Sequence, residues 1–96
     1  MYTCLRDQSA EDEAGQTQTE IESLQRHVTL APADLTDPHQ ITSLVSNLQP
    51  LDILVNSAAF MPGGNVDSLT LENWDRTLDL NLRAPFLLAQ ECAKKM

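Results

Sequence analysis

The run Leu51-Asp52-Ile53-Leu54-Val55, followed at once by Asn56-Ser57-Ala58-Ala59, constrains the fold more than any other part of the chain. Four of its first five residues are large and apolar, and Ile53 and Val55 are β-branched. A short apolar run bounded by turn residues reads as a strand buried on both faces, as inside a parallel sheet. It stops in two small polar residues and two alanines, which leave the backbone open to a bulky neighbour. In open α/β sheets, ligands sit at that carboxyl end. A strand leaving the core through an ordinary polar loop gives the same pattern, so both readings stand at this point.

The flanking pattern sets the fold class. Tyr2-Thr3-Cys4-Leu5 is β-prone and is ended by Arg6-Asp7. Over residues 7–25, Ala10, Ala14, Thr17, Ile21 and Leu24 recur at steps of four and three, predicting a weakly amphipathic helix. Gly15, Thr17 and Thr19 lower its propensity, so it depends on packing. Val28-Thr29-Leu30-Ala31-Pro32-Ala33-Asp34-Leu35 is a second strand, placed at an edge or made irregular by Pro32, which cannot donate to a ladder. Asp37-Pro38-His39-Gln40 has the chemistry of a helix start, and Ile41, Leu44, Val45 and Leu48 follow on one helical face until Pro50. After 51–55 comes a turn-rich loop, Phe60-Met61-Pro62-Gly63-Gly64-Asn65. Thr70 then caps a long helix whose face carries Leu71, Trp74, Leu78 and Leu82, with Lys94 and Lys95 near its far end. Strand and helix alternate three times, which predicts an α/β fold with a parallel sheet and right-handed crossovers.

Composition narrows the function classes. Ninety-six residues with 42% apolar content form one domain with a core. A net charge of −8 argues against a nucleic-acid or anionic-membrane surface. No apolar run approaches the roughly 20 residues that span a bilayer, and the N-terminus has no secretory pattern. Cys4 and Cys92 lack Cys-x-x-Cys spacing and read as buried thiols in a reducing compartment, so the expected location is cytoplasmic. His27 and His39 lack metal-ligand spacing, and no metal is expected. Glu11-Asp12-Glu13 has no apolar pocket to separate its pKa values, so it reads as a solvated face rather than an acid/base pair.

Pro85 is the informative residue of the last helix. It has no N–H to give to the carbonyl four residues earlier, which belongs to Asn81. A proline kink relieved by water is one reading, and a local polar site in an apolar helix is the other.

The combined residues resemble the short-chain dehydrogenase/reductase family. Leu51-Asp52-Ile53-Leu54-Val55-Asn56-Ser57-Ala58-Ala59 is similar to its fourth strand, which typically ends in Asn-Asn-Ala-Gly; Ser57 and Ala59 depart from that ending but remain small. Asn81-Leu82-Arg83-Ala84 resembles the helix bearing the catalytic Asn, whose main-chain carbonyl holds a water in the proton relay to the active-site Lys. Asp34-Leu35 resembles the pair after the third strand that meets the adenine ring, although a turn acid past a strand looks the same. Arg6 follows the strand matching the family's second, where a basic residue often pairs with the 2′-phosphate of NADP. Asp7 beside it would suit a ribose hydroxyl or a helix cap, and the reading leans to NADP over NAD.

The resemblance implies residues 1–96 as a partial NAD(P)-binding Rossmann-like domain of three β-α units. It implies Asn81 as catalytic, and Arg6, Asp34, Leu35, Asn56, Ser57, Ala58 and Ala59 as cofactor-binding. It further implies carbonyl/alcohol interconversion by hydride transfer, a small-molecule substrate and a homo-oligomer. No Gly-x-x-x-Gly-x-Gly loop occurs, and the catalytic Ser and Tyr-x-x-x-Lys are not among these residues. In the family's strand order, 3-2-1-4-5-6-7, strand 1 lies between strands 2 and 4. The run 51–55 therefore has no neighbour among the strands present, and each unpaired buried backbone group costs about 1–3 kcal/mol. The expectation is a fragment, inactive and marginal by itself. The alternative is a truncated, non-catalytic product that folds by pairing with another chain.

Overall fold

A computed structural model describes residues 2–3 and 8–96, with side chains from residue 12 onward. It divides into two compact units, one ending at Asp34 and one spanning Leu35–Met96.

In the first unit, β1 (Tyr2–Thr3), α1 (Gln8–Ser23) and β2 (Thr29–Leu30) form a β-α-β unit. The strands pair in parallel, Tyr2 opposite Thr29 and Thr3 opposite Leu30, as the alternating pattern requires. The second strand is shorter than the sequence predicts. The ladder stops at Leu30, two residues before Pro32, and Ala33 is nevertheless buried. On α1 the buried phase runs through Ala14 with Gln18 and Ile21 half-buried, whereas Thr17 is exposed. Leu24 lies beyond the helix and is 73% exposed, so the expected stripe holds at Ala14 and Ile21 and fails at Thr17 and Leu24.

In the second unit, α2 (Pro38–Ser46) starts as its sequence predicts. Asp37 accepts from the His39 N–H at 2.9 Å and from Gln40 Nε2 at 3.3 Å, and Pro38 occupies the first turn. Ile41 and Val45 are buried. Thr70 caps α3 (Leu71–Leu78) by accepting from the Asn73 N–H at 3.1 Å. The helix then widens into a π-helical turn, Asp79–Arg83, before α4 (Ala84–Ala93). The Ala84 N–H bonds the Asp79 carbonyl five residues back, the signature of that wider turn.

Two corrections follow. Residues 51–55 belong to no ladder, as the missing neighbour leads one to expect, but they are not buried on both faces. Leu51 and Leu54 pack against the core, while Ile53 and Val55 are 78% and 77% exposed, so the run is buried on one side only. A strand is defined by its partners, and no neighbouring strand among the described residues supplies them. The second correction concerns the last helix. Its core face is Leu80, Ala84, Leu88 and Cys92, at steps of four, packed with Ile41 and Val45. On the expected face, Leu71, Trp74 and Leu82 are more than half exposed and Leu78 is 39% exposed. The helix is apolar on two sides, and periodicity alone picked the outer one.

Candidate active site

The segment after Leu54 leaves the core quickly: residues 55–59 are all exposed. Asn56, Ser57, Ala58 and Ala59 therefore present small side chains and accessible backbone, which suits the close approach of a flat ligand. The next residue, Phe60, is where the chain is fastened. Asn81 Oδ1 accepts from the Phe60 N–H at 2.8 Å, and Asn81 Nδ2 donates to the Phe60 carbonyl at 2.8 Å. One carboxamide thus satisfies both the N–H and the carbonyl of a loop residue. The Arg76 guanidinium lies 4.2 Å from the centroid of the Phe60 ring, a cation–π contact, with its Nε buried and unpartnered.

The π-helical turn makes this arrangement local. Its Leu80 side chain is buried in the core while Asn81, the next residue, faces Phe60. Pro85 cannot supply an N–H to the Asn81 carbonyl, so the regular ladder is interrupted where the polar side chain is needed. From the other end of the same turn, Arg83 pairs with Asp79 at 3.0 Å and donates to the Thr36 carbonyl at 2.6 Å. Thr36 follows Leu35, whose side chain packs against the core.

Of the residues singled out in the sequence, Asn81 and the 56–59 segment are brought together through Phe60, and Leu35 is tied to the same helical turn through Thr36. Asp34 is half-buried at the end of the first unit. Arg6 lies outside the described residues. Sequence reasoning missed the roles of Phe60, Arg76 and Arg83; an arginine five residues before Asn81 and another two after it were the available signals. A depression of about 360 Å³, lined by Leu78, Asp79, Leu82, Arg83 and Phe86, contains none of the expected cofactor residues. It belongs to the outer apolar face of the helix. Among the described residues no acidic, His or Cys cluster suits a metal, and no helix is long and apolar enough to cross a membrane.

Comparison with known proteins adds an independent line. A family model described as short chain dehydrogenase matches residues 2–96. A short-chain dehydrogenase/reductase of Cladobotryum is 40% identical over 75 residues, covering 74% of this chain and 29% of that protein. A 3-oxoacyl-(acyl-carrier-protein) reductase of Rickettsia bellii is 33% identical over 73 residues, covering 76% of this chain and 30% of that protein. Among solved structures, a blue fluorescent protein from a metagenomic library, in complex with NADPH, superposes with a TM-score of 0.88 at 30% identity, covering 99% of this chain and 40% of that one. A short chain dehydrogenase of Burkholderia cenocepacia, in complex with NADP, gives a TM-score of 0.88 at 31% identity, with 97% and 40% covered. The chain thus spans less than half the length of these proteins.

Proposed function

Because the chain belongs to the short chain dehydrogenase family, we propose that it supplies the cofactor-facing part of an NAD(P)-dependent oxidoreductase that interconverts a small carbonyl and an alcohol. In this reading residues 1–96 are part of a Rossmann-like domain of three β-α units, and 51–55 becomes a full strand when a neighbour pairs with it. The observation that carries the reading is the Asn81 carboxamide bound to both peptide groups of Phe60. It sets the helix that matches the family's catalytic segment directly against the loop that follows Asn56-Ser57-Ala58-Ala59.

The nicotinamide, when bound, supplies or accepts the hydride. Asn56, Ser57, Ala58 and Ala59 hold it, their small side chains leaving room for the ring. Asp34 and Leu35 meet the adenine end, and Arg6 favours NADP over NAD by pairing with a 2′-phosphate. Asn81 acts through its main-chain carbonyl, which Pro85 leaves without an α-helical donor and which holds a water for proton transfer. The side-chain bonds of Asn81 to Phe60 fix that carbonyl in place. The proton donor is not among these 96 residues, so the chain by itself does not turn over. The active protein is a cytoplasmic homo-oligomer in this reading.

A second reading is supported by the exposed Ile53 and Val55 in a segment without a ladder partner: the chain acts as a non-catalytic product that pairs with another chain.

Nucleotide fluorescence with the natural gene product containing residues 1–96 tests the first reading. NADPH binding, tighter than NADH, is the expected result. If neither nucleotide binds, the oxidoreductase reading is wrong. If both bind equally, only the NADP assignment falls.

A further inference from the structure

The five residues of the π-helical turn carry two ties to distant chain. Asn81 holds Phe60, 21 residues away, and Arg83 holds Thr36, 47 residues away. The first fastens the loop after Asn56-Ser57-Ala58-Ala59, and the second fastens the loop after Leu35. We propose that Arg83 is a positioning residue for the adenine-side loop, holding Leu35 and Thr36 in register with the nicotinamide-side loop that Asn81 holds. This rests on the cofactor reading above.

The bracket lies at the surface, with the Arg83 and Asp79 side chains 43% and 33% exposed, and several contacts converge on it. Leu35 and Thr36 lie in a turn between β2 and α2 and belong to neither element, so contacts from elsewhere in the second unit help to fix their backbone. Three anchors converge there. The Leu35 side chain packs on the core, Asp37 is locked as the cap of α2, and the Arg83 guanidinium donates to the Thr36 carbonyl at 2.6 Å. Arg83 is itself aimed by Asp79, whose carboxylate lies 3.0 Å from the other terminal nitrogen. A planar guanidinium held by a carboxylate on one nitrogen offers the second in a fixed direction. A lysine has a single ammonium on a flexible stem and reproduces this only in part. Both ties leave from one rigid turn, whose Leu80 is buried in the core, so the two loops share a common reference.

The consequence is separable by ligand. Loss of Arg83 loosens the loop that meets adenine and leaves the Asn81–Phe60 bonds intact. The test uses the natural gene product containing residues 1–96, with ADP-ribose, run in parallel with its 2′-phosphate, as the adenine-half probe and nicotinamide mononucleotide as the other half. Arg83→Gln is expected to weaken ADP-ribose about tenfold while changing nicotinamide mononucleotide less than about twofold, the scale of one lost charge-assisted bond. Arg83→Lys is expected to fall between Gln and wild type. Unchanged ADP-ribose affinity in Arg83→Gln, or equal loss for both probes, overturns the proposal. If the wild-type protein binds neither probe and also fails to bind 2′-phospho-ADP-ribose and NADPH, the cofactor reading itself has failed.

Discussion

Asn81 satisfies both the N–H and the carbonyl of Phe60 with one side chain, and the cost of removing it can be bounded. Asn81→Ala deletes two hydrogen bonds of 2.8 Å, each contributing about 0.5–1.5 kcal/mol, so a loss of about 1–3 kcal/mol is expected in urea unfolding. Asn81→Asp keeps the acceptor for the Phe60 N–H but turns a carboxylate oxygen toward the Phe60 carbonyl. It should therefore be less stable at neutral pH than at a pH low enough to protonate the carboxyl, which then donates. Unfolding midpoints for Asn81→Asp that do not improve on acidification would contradict the two-sided clamp. Cys92 offers a second residue-scale test. Burial, and then the adjacent Glu91 charge, push its thiol above the ordinary 9.0. The unfolded chain therefore releases this proton at lower pH than the folded chain. The resulting stability is complete below about pH 9 and is lost as pH rises past that value. In Cys92→Ala the decline in melting temperature above about pH 9 should be shallower than in wild type, and an identical slope would show that Cys92 contributes nothing to it.

At the scale of elements, α2 was legible because its signals are local. Asp37, Pro38 and Gln40 act within one turn of each other, and the cap forms as the spacing predicts. Asp37→Ala removes that cap and should cost about 1 kcal/mol, read as a lower midpoint in thermal unfolding; a loss below a few tenths would mean that Pro38 alone sets the start. Elements whose form depends on distant partners were less legible. The apolar run 51–55 has strand chemistry and its lack of a partner was readable from the strand order, but its burial on one side only, with Ile53 and Val55 outside, was not. The last helix was read in position but not in detail. Pro85 signalled an interruption at Asn81, whereas the π-helical turn and the two side-chain ties it carries depend on Phe60 and Thr36, 21 and 47 residues away. Likewise Leu71, Trp74 and Leu82 satisfy helical periodicity as well as Leu80, Ala84, Leu88 and Cys92 do. Only packing against Ile41 and Val45 decides which face is inside.

At the scale of the whole molecule, two forces of opposite sign act on the isolated 96-residue chain. Its net charge of −8 keeps copies apart. Its exposed apolar surface draws them together: Ile53 and Val55 stand outside the core at 78% and 77% exposure, and Leu82 and Phe86 at 67% and 61%. Added salt screens the first force over about 10 Å at 0.1 M and leaves the second intact, so self-association should rise with ionic strength. The two contributions are separated by replacing Ile53 and Val55 together with lysine. Because both side chains are exposed, folding stability should change by less than about 0.5 kcal/mol for each. The added cations take the net charge from −8 to −6, which weakens repulsion and by itself promotes association. If association nevertheless falls in sedimentation velocity, the apolar segment 51–55 is the adhesive surface, as an unpaired strand edge should be. If association rises with the reduced charge, repulsion governs the solution behaviour and the segment is not sticky.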